Sequence, residues 1–163
     1  MRIWMLVDRE PGFAEITIGD RLTAWTEWRG QEGIPDEIVS KNLDVIVTRS
    51  DDGYWLIRDP SGLPFAALLG DSKSEWAPGP AKMSGCVEFD RYMHYVYTDE
   101  APSTTGTVVG LGVLQGTWPI RPDGSTRFVP ALPGVQSTSQ CSPEPGAELA
   151  YYCVELEVGR HRE

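Results

Sequence analysis

The chain has 163 residues, of which 40% are apolar, 10% aromatic and 23% charged. That is the composition of one globular domain able to bury roughly two-thirds of its unfolded surface, so folding requires neither a metal nor a disulfide. The 14 Lys and Arg against 24 Asp and Glu leave a formal charge of -10, and the isolated Arg121, Arg127, Arg160 and Arg162 do not form the local positive charge that nucleic acid or an anionic bilayer requires; a protein partner with a basic surface fits the balance.

Residues 1–8, MRIWMLVD, are too short for a secretory core or a membrane span. They read as a first strand, with Ile3, Met5 and Val7 on one face, and Trp4 and Leu6 on a second face that is also covered. After Pro11-Gly12, segment 13–28 reads as strand, tight turn at Gly19-Asp20, and strand. Pro35, Asp36 and Glu37 suit the start of a short helix near 35–41. Residues 43–49 and 54–58 flank Asp51-Asp52-Gly53 as a hairpin, and Asp59-Pro60-Ser61-Gly62 turns the chain again toward an apolar stretch at 63–69. Residues 70–85 carry Gly70, Pro78, Gly79, Pro80 and Gly85 and read as a loop pinned by Trp76. A long strand follows at 86–97, with Val87, Phe89 and Met93 on one parity and Glu88, Asp90, Tyr92 and His94 on the other. Segment 107–114 is a strand whose Gly110 and Gly112 predict a bulge or close packing. A brief strand at 126–129, a loop excursion at 133–148 and a closing strand at 149–158 complete the chain. In that last strand Tyr152, Val154, Leu156 and Val158 point inward, and Cys153, Glu155 and Glu157 point to water.

These short period-two stretches, cut by Gly and Pro, predict one all-β or mainly β domain over 1–163. The expected architecture is a small, partly open β-barrel, SH3-like or related, with long loops and at most one short helix. The three cysteines, Cys86, Cys141 and Cys153, are too few and too odd in number for a disulfide scaffold and read as free thiols of a cytoplasmic protein.

No cofactor or metal is predicted. Cys86, His94, Cys141 and Cys153 could supply zinc ligands only if the 86–97 strand bent sharply, because about eight extended residues, roughly 26 Å, separate the first two. Glu88 and Asp90 could act as an acid–base pair, but along one strand they form an ordinary solvated face. A nucleophilic Cys153 would sit among Glu155 and Glu157, which raise a thiol pKa. The glycines of 106–116 lead into Trp118-Pro119 rather than a helix, so they do not form a phosphate cradle. Aromatic side chains are the remaining resource, and Trp28 and Trp76, which adjoin loops, are the pair least committed to a core. The expected contact residues are therefore Trp28, Trp76, Glu88, Asp90, Tyr92 and His94, with no catalytic residue assigned.

In the opening RIWM, the segment IGDRLTAW at 18–25, HYVY at 94–97, TTGTVVGLGVL at 104–114 and YCVELE at 152–157, the chain resembles a family of small actinobacterial β-rich proteins. The Gly-Asp step also occurs in many SH3-like barrels. The resemblance implies a bacterial, cytoplasmic, single-domain protein and carries no activity and no catalytic residue. The leading expectation is a non-catalytic protein-binding or regulatory module. One alternative is a small-molecule binder or hydrolase with a barrel mouth lined by aromatics and carboxylates; another is a structural, self-assembling protein.

Overall fold

The computed structural model describes residues 1–8, 16–70, 75–93, 101–126, 129–136 and 148–159. Among these are nine strands: β1 (Arg2–Asp8), β2 (Arg21–Gly30), β3 (Ser40–Arg49), β4 (Trp55–Arg58), β5 (Ala66–Gly70), β6 (Gly79–Phe89), β7 (Ser103–Thr117), β8 (Val129–Gln136) and β9 (Glu148–Glu157). Eight of them close a circuit in the order β2-β5-β4-β3-β6-β1-β9-β7 and back to β2, while β8 lies outside it on the edge of β7. The protein is thus a small closed β-barrel. The single helical element among the described residues is one 3-10 turn, Asp36–Ile38, inside the stretch expected to be helical. Closure through eight strands replaces the partly open form; it pairs the edges that would otherwise be exposed.

Closure depends on β2. Residues 21–25 pair with β7, residues 26–30 pair with β6, and Glu27 is also opposite Leu68 of β5. The β2–β6 ladder therefore joins two points of the circuit that are far apart in strand order. Where β2 changes neighbours, the buried Thr26 hydroxyl donates to the Ala66 carbonyl at 2.6 Å and lies 2.9 Å from the Thr104 hydroxyl. These bonds join β2, β5 and β7 inside the barrel and satisfy polar groups that would be costly to bury alone.

The core is the inward half of each alternation. Ile3, Met5 and Val7 of β1 meet Val45 and Val47 of β3, Ile57 of β4, Val87 of β6, and Val154 and Leu156 of β9. The pairing of β7 with β9 shifts register between Val108 and Gly110. That bulge, at one of the two expected glycines, moves the inward side from Thr104 and Val108 to Leu111. The outer face of β1 is covered too. Leu6, Cys86, Leu114 and Cys153 form a second buried cluster under Ile38, with Ile34 and Trp4 beside it. Cys153 is consequently fully buried rather than wet.

Several expected boundaries move. Residues 79–85 belong to β6 and pair with β3 from Val47↔Gly79 to Ser40↔Gly85, so the loop expected over 70–85 is strand in its second half. β6 ends at Phe89, not 97, because the Asp90 carboxylate accepts the Tyr92 N–H at 2.8 Å and the Asp90 carbonyl accepts the Met93 N–H, which turns the chain. Residues 16–18 carry no strand, and Gly19 turns the chain directly before β2. Residues 133–136 belong to β8, and the rest of the expected 133–148 excursion lies outside the described residues up to the start of β9 at Glu148.

Candidate functional site

The outward face of β2, β6, β1 and β9 gathers most of the chemistry. Glu27 is directly opposite Glu88, Leu6 is opposite both Glu88 and Cys153, and Asp8 is opposite Tyr151. Trp25 lies beside Asp90, whose N–H donates to the Trp25 carbonyl at 3.0 Å. Two like charges opposed across a ladder repel. Arg29, two residues along β2 from Glu27, relieves part of this: its Nε lies 3.0 Å from Glu88 Oε2. Among the described residues that oxygen has no hydrogen-bond partner, so the contact is an ion pair without hydrogen-bond alignment.

Burial and charge act together on the acids. Desolvation pushes both Glu27 and Glu88 above the ordinary carboxylate range; Arg29 opposes the shift, Asp90 reinforces it at both sites, and Glu27 and Asp8 add to it at Glu88. Tyr151 is pushed up to about 12 by desolvation and then by Glu88. Among the described residues, the charges that act on Glu27 and Glu88 are the Arg29 cation and the carboxylates of Asp8, Asp90 and Glu27 itself.

A carboxyl whose folded pKa is raised favours folding when protonated, and that contribution is lost as pH rises through the folded value. Glu27→Gln, which keeps the shape and removes the charge, is therefore expected to stabilise the protein at pH 7 by roughly 0.2–1 kcal/mol, the scale of a cross-strand pair. The gain should vanish below about pH 4, where Glu27 is protonated in both states. Thermal unfolding of both proteins at the two pH values tests this; a Glu27→Gln protein less stable than the parent at pH 7 contradicts it.

A pocket of about 180 Å³ adjoins the acidic face. Leu6 and Leu114 line it, with Ile34 from the segment between β2 and β3, Trp118 from the β7–β8 hairpin, and Arg29 and Tyr151. Arg29 belongs to both features, because the side chain that lines the pocket also pairs with Glu88.

The expected contact residues divide. Glu88 and Asp90 lie with the acidic face. Tyr92 is exposed on the turn after β6 rather than on a strand face shared with Glu88. Trp28 is not available for contact: it is 8% exposed and belongs to the barrel core. Its alternation with Ala24 and Thr26, both buried, was the signal for this. Trp76 is exposed but precedes the start of β6, at the opposite end of that strand from Glu88. A barrel mouth where Trp28 or Trp76 meets Glu88 or Asp90 is not formed: Trp28 points into the core, and Trp76 lies at the other end of β6. His94 and Cys141 lie outside the described residues. Sequence reasoning missed Glu27, Arg29, Trp118 and Tyr151.

Other chemistries find little support here. Among the described residues no group of three or more His, Cys, Asp or Glu side chains is placed to hold a metal ion. Burial pushes the Cys86 and Cys153 thiols to about 12, the opposite of nucleophile activation. No described helix is long and apolar enough to cross a membrane. No family model, curated protein or solved structure matches this chain.

Proposed function

We propose that this protein is a non-catalytic binding module that receives a cationic segment of a protein partner on the outer face of β2 and β6. The observation that carries the reading is Glu27 facing Glu88 across the β2–β6 ladder, with Asp8 and Asp90 alongside and both glutamates raised toward protonation. A lysine or arginine from a partner adds to the charge that Arg29 supplies and opposes the upward shift of both glutamates. The formal charge of -10 steers such a partner from a distance. The unpaired, buried thiols of Cys86 and Cys153 suit a reducing cytoplasm.

The test is titration of the whole protein with a pentapeptide, Lys-Ala-Lys-Ala-Lys, at low salt. Glu27→Gln/Glu88→Gln should weaken binding about 10-fold or more, as expected when two close charges are lost from an interface. Asp51→Asn/Asp52→Asn removes the same net charge from an exposed turn between β3 and β4 and should leave affinity within about twofold. Equal losses in the two double variants would show that the peptide reads net charge alone and would overturn the proposal.

A further inference from the structure

The pocket beside the acidic face deepens that reading, on which the following rests. Its volume of about 180 Å³ is close to the roughly 150 Å³ apolar cavity that holds a single benzene, and below the ~300 Å³ at which pockets begin to enclose drug-sized molecules. It therefore suits one ring better than a metabolite. Leu6 and Leu114 back it but are fully buried, so besides Trp118 the apolar surface open to a ring is that of the half-buried Ile34 and Tyr151. Trp118 is 43% exposed and offers a ring for offset or edge-to-face packing. Arg29 stands at the rim with its charge engaged by Glu88, so it can rest on a ring face without demanding an anion. An anionic ligand is disfavoured, since Glu88 already engages the Arg29 charge.

We infer that the pocket anchors one aromatic side chain of the partner, next to the basic residues that engage Glu27, Glu88 and Asp90. The recognised segment is thus an aromatic residue followed or preceded at short spacing by Lys or Arg. Arg29 fixes the spacing, because it joins the pocket to the acids directly. The aromatic supplies affinity through burial and the basic residues supply orientation and rate, the usual division between an apolar anchor and a charged rim.

The experiment compares Phe-Ala-Lys-Ala-Lys and its reverse with Ala-Ala-Lys-Ala-Lys on the full chain. In at least one orientation the phenylalanine should tighten binding about 10-fold. Trp118→Ala should abolish that gain, whereas Glu27→Gln, which leaves the Arg29–Glu88 pair in place, should weaken the Phe and Ala peptides by the same factor. The ring is also tested alone: N-acetylphenylalaninamide should shift the Trp118 indole N–H resonance in a saturable way. Equal affinities for Phe and Ala peptides in both orientations, or a gain that survives Trp118→Ala, overturns the anchor while leaving the cationic reading intact. If no peptide binds, the cationic reading fails. The single-ring probe then decides the pocket: a saturable Trp118 shift supports it, and an unmoved resonance overturns it.

Discussion

Replacing Gly85 with alanine is expected to destabilise the barrel by about 3 kcal/mol or more, the upper end of what overpacking costs. Gly85 is the point where β6 is held on both edges, opposite Gly30 of β2 and Ser40 of β3. A Cβ there would overlap the Arg29 carbonyl oxygen and lie 2.8 Å from Trp28 Cζ2. The carbonyl belongs to the ladder and cannot rotate away, and the Trp28 ring is fixed in the core. The β2–β6 pairing that joins distant points of the circuit would have to part. Gly30→Ala is the control on the opposite strand: its Cβ meets nothing within 4 Å, so the change should be neutral or stabilising by up to about 1 kcal/mol. Denaturant unfolding of both variants checks the pair. A Gly85→Ala protein as stable as Gly30→Ala would mean that β2 and β6 do not approach as described.

Phe65→Ala is expected to cost about 3–5 kcal/mol and to lower the melting temperature by on the order of 10 °C. Phe65 is 2% exposed and enters the core just before β5. Its carbonyl accepts the Asp59 N–H at 3.2 Å, and the neighbouring Pro64 carbonyl accepts the Thr105 N–H at 2.8 Å. Truncation thus empties the place where the β4–β5 turn meets β7, and the backbone bonds on either side restrict collapse into the void. Calorimetry reads the change; a loss under about 1 kcal/mol would place Phe65 outside the packed interior.

The alternation of side chains was legible in the sequence because it is local. Val45, Val47, Val87 and Val154 are in the core as their parity requires, and the Asp51-Asp52-Gly53 turn forms with Gly53 at φ 89. Strand ends were less legible. Pro80 and the surrounding glycines argue against strand, yet at residue 80 β6 is paired with β3 alone, so a missing donor is tolerated. The end of β6 is set by which backbone groups Asp90 captures, a competition that alternation does not register. The candidate site was legible only in part, for a different reason. Glu88 and Asp90 stand out on one strand, but Glu27 becomes opposite Glu88 only when β2 and β6, about sixty residues apart, are paired. The pocket draws on still more distant segments: Arg29, Leu114, Trp118 and Tyr151 share no local pattern.

The partner site we propose is the outer face of β2 and β6 with the adjoining pocket. Amide chemical-shift mapping of the labelled protein with Phe-Ala-Lys-Ala-Lys tests it most directly. Saturable shifts are expected at Glu27, Arg29, Glu88, Asp90 and Trp118, with Asp51, Asp52 and Glu37 unmoved. Shifts scattered over the exposed acids, or centred on a different face of the barrel, would contradict it.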